Sequence, residues 1–194
     1  MSRMTKARLS AAAAICLLAG CQSLPPDYYL LKGAPSSSPQ QLPSPLQSIG
    51  IRPVAVADYL DRSEIVTTSE AARININDQE RWGEKLSLMI ARTLAADLRA
   101  HLGSASVTLL PTDFDIQPSR ELILSIERFD ADESGNATIA GRWQLVSPKN
   151  NEATSGAPFS IVAPVATPGS YDAIVQALSE ALDQLAASIA RDGR

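Results

Sequence analysis

The chain has one histidine, two cysteines and no apolar run of membrane-spanning length. Each shortage removes a class of function. A Ser-His-Asp arrangement would have to use His101, which closes a helical pattern beside Gly103, where an imidazole is placed to meet the last carbonyls and the helix dipole. No H-E-x-x-H, G-x-S-x-G or phosphate-loop spacing occurs. The reading is of a protein that is not an enzyme, with no cofactor and no metal. Both cysteines, Cys16 and Cys21, lie at the N-terminal end, so the rest of the chain has neither a disulfide nor a cysteine metal site and depends on core packing. The net charge of −4 offers no basic stripe to nucleic acid.

What the chain does have begins at its start. Arg3, Lys6 and Arg8 precede an apolar stretch from Leu9 to Leu18, followed by Ala19-Gly20-Cys21. A basic region, a short apolar region and small residues form an export signal. Leu18-Ala19-Gly20-Cys21 also has the form of a lipobox, in which the thiol is diacylated, the chain is cut before it and the new amine is acylated. The apolar stretch is far short of the ~20 residues that cross a bilayer, whereas two or more acyl chains anchor stably. Residues 1–20 are therefore expected to be removed and Cys21 to be lipidated, palmitate being among its chains. The removed piece carries three of the 17 Lys and Arg and none of the 21 Asp and Glu, so the net charge falls to −7. Gln22 and Ser23 follow the cysteine. The absence of Asp there favours the outer membrane, with the domain on its periplasmic face.

The organisation expected is a tether over 21–27 and one α+β domain over 28–194, with a Pro/Ser-rich loop at 33–47 that holds Pro35, Pro39, Pro43 and Pro45. From Cys21, residues 22–27 reach about 20 Å when extended. Tyr28-Tyr29-Leu30-Leu31 reads as a short strand, Ile49 to Val56 as one bent at Pro53, and Ile65–Thr68 and Arg73–Ile76 as two more. Asn77 and Glu80 fit a capping box for a helix with Trp82, Leu86, Met89, Ile90, Leu94, Leu98 and Leu102 on its apolar face, stopped by Gly103. Val107–Leu110 reads as a strand. Leu122–Phe129, Thr138–Val146 and about 158–165 form a meander, and Ser170 caps a final helix striped by Ile174, Leu178, Ala181, Leu182, Leu185 and Ile189. About seven strands and two amphipathic helices imply a mixed, mostly antiparallel sheet with both helices on one face.

Two acidic groups stand out. Asp130, Asp132 and Glu133 read as a solvated turn tip rather than a weak Ca²⁺ site; Asp58 and Asp61 either cap backbone amides or pair with Arg62. Tyr59 and Leu60 between them are apolar groups in an acidic turn, which makes Asp58, Tyr59, Leu60, Asp61 and Arg62 the candidate partner interface.

The order of these features resembles the PqiC-like ABC-type transport auxiliary lipoproteins, also described as membrane integrity-associated transporter subunits. The resemblance rests on the lipobox, Tyr28-Tyr29-Leu30-Leu31, the run Pro53-Val54-Ala55-Val56-Ala57-Asp58-Tyr59-Leu60-Asp61-Arg62, the hairpin from Phe129-Asp130 to Trp143-Gln144-Leu145, and the helix after Tyr171-Asp172. It implies a non-enzymatic subunit at the outer membrane that docks a PqiB-like MCE-domain transport protein and its inner-membrane components, in a system that moves lipid and maintains envelope integrity. A ring-like homo-oligomer would match a multimeric MCE channel. A stand-alone envelope lipoprotein that binds lipid or peptidoglycan is the alternative.

Overall fold

A computed structural model describes residues 25–33, 48–69, 73–103, 106–112 and 117–192. Cys21, the signal region and nearly all of the loop expected at 33–47 lie outside them.

The fold is built on one long strand. In chain order the strands are β1 (Asp27–Tyr29), β2 (Ser48–Ile51), β3 (Ala55–Val56), β4 (Glu64–Thr68), β5 (Ile74–Trp82), β6 (Ser106–Leu109), β7 (Arg120–Asp132), β8 (Asn136–Val146) and β9 (Ala153–Pro164), with α1 (Leu86–Leu102) between β5 and β6 and α2 (Tyr171–Asp192) at the end. One edge of β7 pairs antiparallel with β8, which pairs antiparallel with β9, giving the expected meander. Its other edge meets β2, β3 and β4 in turn, all parallel. These three act as one strand broken twice. Pro53, which has no N–H to give a ladder, makes the first break. A 3₁₀ turn at Asp58–Leu60 makes the second. The ladder extends past the strand ends at Arg52 N–H to Leu122 O and Ala57 N–H to Ile126 O, both 2.9 Å.

The sheet is therefore mixed, and the expectation of mostly antiparallel pairing holds only in part. β1–β5 and β2–β6 are parallel as well. Parallel pairing needs a long crossover, and α1 lies in the connection between β2 and β6. Among the described residues there are nine strands, not about seven.

β7 changes face midway. Leu122, Leu124 and Ile126 point to the core, and then Phe129 and Ala131 do. A bulge between Ile126 and Arg128 inserts the extra residue that moves the apolar set from even to odd positions. Gly141, opposite Ile126, makes this possible: a Cβ there would stand 2.0 Å from the Ser125 carbonyl oxygen.

Both helices present their expected stripes to the core. Leu86, Met89, Ile90, Leu94, Leu98 and Leu102 of α1 and Ile174, Leu178, Ala181, Leu182, Leu185 and Ile189 of α2 are buried. The helix starts differ. Ser170 caps α2 as expected, its Oγ accepting from Ala173 N–H at 3.4 Å. The capping box on α1 is not formed. Asn77, Glu80 and Trp82 belong to β5, Asn77 Oδ1 accepts from Gln79 N–H at 3.0 Å, and the helix begins after Lys85 with no side-chain cap. Parallel pairing of Glu80, Arg81 and Trp82 with β1 holds them extended. Trp82 is core all the same, edge-on to Phe129 with ring centroids 6.1 Å apart. Gly103 closes α1 in the left-handed region at φ 67°, its N–H on the Arg99 carbonyl.

Candidate functional site

The turn at Asp58–Leu60 sits where the second break in the strand falls, and its geometry divides the candidate interface in two. Leu60 is 1% exposed and part of the core. Burial removes it as a surface contact, which corrects the expectation for that residue. Tyr59 is half-buried, and its hydroxyl donates to the Glu127 carbonyl at 3.1 Å. Asp58, Asp61 and Arg62 are exposed. The acidic residues do not pair with Arg62. Asp61 reaches Lys85 at 3.5 Å, and Arg62 Nε donates to Glu64 Oε2 at 3.1 Å. Glu64 also accepts from Ser63 Oγ at 2.8 Å. These bonds, the Ser63 hydroxyl first and Arg62 next, hold the Glu64 carboxyl below its ordinary pKa.

Tyr59 leads to a recess of about 540 Å³ lined by Tyr59, Thr68, Ser69, Ile74, Glu127, Arg128 and Asp130. Asp130 was expected at a solvated tip, but it is fully buried. Thr68 Oγ1 donates to its Oδ1 at 3.1 Å, and Arg128 holds both of its oxygens. A buried carboxylate needs such partners, and β4 supplies one of them from far along the chain. Burial, then the charge of Asp130, push the Tyr59 phenol above its usual pKa, so it stays a neutral donor. The turn tip itself is as expected: Asp132 accepts from Asn136 N–H at 2.9 Å, and Gly135 takes φ 84°.

Beside this recess, Ile74 and Ile76 of β5 are 43% and 38% exposed. Both were expected in a strand, and neither was expected at the surface. The signal was there in Ile74-Asn75-Ile76-Asn77, an alternation that can put the isoleucines outward as readily as inward.

The sole histidine engages a side chain rather than helix carbonyls. His101 Nε2 lies 2.7 Å from Asp183 Oδ1 and ties the end of α1 to α2. Among the described residues no group of three or more His, Cys, Asp or Glu is placed to hold a metal ion, and no helix is long and apolar enough to cross a membrane.

At the other end of β5, Tyr29 and Tyr171 pack with centroids 6.3 Å apart. Burial, then a hydrogen bond with Glu80, raise the Tyr29 phenol well above its usual value.

The comparisons with known proteins agree with one another. Residues 29–190 match the family described as ABC-type transport auxiliary lipoprotein component. The chain is 25% identical over 177 residues to the intermembrane transport lipoprotein PqiC of Escherichia coli K12, covering 90% of this chain and 91% of that one. The Shigella flexneri PqiC matches equally. Two crystal structures share the fold. One, an uncharacterized protein, superposes with a TM-score of 0.70 at 22% identity, over 87% of this chain and 98% of that one. The other, XCC0632 from Xanthomonas campestris, gives 0.68 at 17%, over 84% and 92%.

Proposed function

The chain belongs to the ABC-type transport auxiliary lipoprotein component family, and from that premise we propose that it is the outer-membrane-anchored docking subunit of an MCE-type ABC lipid transport system. One observation carries the reading: the family match spans 29–190, almost the whole of the folded part, and a lipobox stands directly upstream of it.

Acyl chains on Cys21 hold the domain to the periplasmic face of the outer membrane. Chemistry is left to the partners, and the domain itself is not an enzyme. The surface offered to the MCE-domain protein is the ridge of Asp58, Tyr59, Asp61 and Arg62, continued by exposed Ile74 and Ile76. A ridge of mixed charge around a recessed tyrosine, flanked by two isoleucines, has the polar rim and apolar anchors of an interface.

Co-purification after mild solubilisation of whole envelopes tests the reading. The MCE-domain protein should come with the wild-type chain, and Cys21→Ser, neither acylated nor cut, should no longer fractionate with the outer membrane. Recovery with peptidoglycan and without any transport component would favour the stand-alone reading instead.

A further inference from the structure

The segment just past the tether displays a row of side chains outward. Tyr28 and Leu30 are 64% and 57% exposed, and Lys32 is exposed after them, whereas Leu31 is 8% exposed and Tyr29 half-buried. Extended backbone alternates the side chains along the row, and backbone bonds on either side of Leu30 fix it. Gly83 N–H donates to Tyr29 O at 2.8 Å, and Lys32 N–H to Ser179 Oγ at 3.1 Å. Leu30 rests against the bare backbone of Gly83, where a Cβ would come within 2.9 Å of its Cδ2. Among the described residues β1 pairs only with β5, so its outer edge is open. A groove of about 1,020 Å³ runs between this segment and α2.

The length of chain before the row says what covers it. Tyr28 stands seven residues after Cys21, so no conformation takes it more than about 25 Å from that residue. A tyrosine, a leucine and a lysine on one outward line suit the boundary between headgroups and acyl chains. The phenol sits at headgroup level, the leucine reaches the acyl layer, and the lysine extends its ammonium back to water. The charges beside the row choose the lipid. Asp27, Asp172, Glu180 and Asp183 surround it against Lys32 and Arg81, the β5 partner of Tyr28, an acidic excess that opposes an anionic surface.

We propose that Tyr28 and Leu30 seat in the interface of a zwitterionic leaflet and fix the orientation of the domain on the membrane. The inference rests on the anchored reading, because Cys21 must be acylated to bring the row to the bilayer. The tether then sets distance and the row sets attitude, so that the ridge at Asp58–Arg62 is presented in a constant direction.

The test uses the full acylated chain in phosphatidylcholine–phosphatidylethanolamine vesicles, with Tyr28→Trp as reporter and Val162→Trp, at a 55% exposed position on β9, as control. Native Trp82 and Trp143 are buried and give a constant background. Tyr28→Trp emission should shift to the blue on incorporation, lose intensity with brominated phosphatidylcholine and become shielded from acrylamide. Val162→Trp should stay open to acrylamide. The mass of the same sample reports acylation of Cys21. With Cys21 acylated, aqueous emission and no quenching by brominated lipid would overturn the docking while the anchor stands. So would shielding that appears only when a partner protein is added. An unmodified Cys21 would remove the anchored reading and this one with it.

Discussion

Arg128 grips Asp130 through both carboxylate oxygens, Nη2 to Oδ1 at 2.7 Å and Nε to Oδ2 at 3.2 Å, and the carboxylate is fully buried while the Arg128 side chain is 49% exposed. The pair is asymmetric, and so are the consequences of breaking it. Arg128→Ala strands a charge in the interior and should cost about 3–5 kcal/mol. Asp130→Asn leaves a cation that water can reach and should cost about 1–3 kcal/mol. Urea unfolding of both variants checks the order.

Gly141 and Gly169 give a second contrast. Gly141→Ala drives a methyl group into the Ser125 carbonyl, whose oxygen would lie 2.0 Å away. The backbone must move, and a loss of about 3 kcal/mol is expected. Gly169, at φ 83° with open space around it, bears only the conformational cost, about 1 kcal/mol as Ala. Thermal unfolding separates the two.

The ridge divides into structural and accessible residues. Leu60→Ala should destabilise by about 2–5 kcal/mol, as a buried leucine does. Tyr59→Phe loses one hydrogen bond, to the Glu127 carbonyl, and should cost about 1 kcal/mol. Asp61→Ala gives up only an exposed ion pair with Lys85, so it should leave the unfolding midpoint nearly unchanged and still reduce partner capture.

Glu64 makes stability depend on pH on the acid side. Its folded carboxyl sits below the ordinary value of 4.5, held there by Ser63 and Arg62. A depressed carboxylate contributes fully above its unfolded pKa, and the contribution is lost as pH falls through the folded one. Glu64→Gln should therefore be less stable than wild type at neutral pH, and the gap should narrow as pH falls below 4.5. Urea midpoints measured from pH 7 down to pH 3 report it.

Local patterns of the fold were legible in the sequence, and pairings across the chain were not. The α1 and α2 stripes could be read because each is a continuous periodic run, as in Leu86-Met89-Ile90 and Leu178-Leu182-Leu185. The capping box at Asn77 and Glu80 misled because the same residues, held against β1, continue a strand. Asp130 looked solvated among acidic neighbours because its partner Thr68 lies 62 residues away. The parallel contacts of β2, β3 and β4 with β7 likewise depend on connections that no local pattern records. Of the candidate ridge, the exposed acidic residues and Arg62 were legible, but the burial of Leu60 was not. In a turn that short, only the packing decides which side chain faces inward.

Photo-crosslinking from position 61 in intact cells tests the central proposal most directly. A crosslinking amino acid in place of Asp61 should capture the MCE-domain protein of the transporter, and the double variant Cys21→Ser should lose that capture with the anchor. Capture from the anchored chain of only peptidoglycan-associated or unrelated envelope proteins, with the MCE-domain protein present in the same cells, would contradict it.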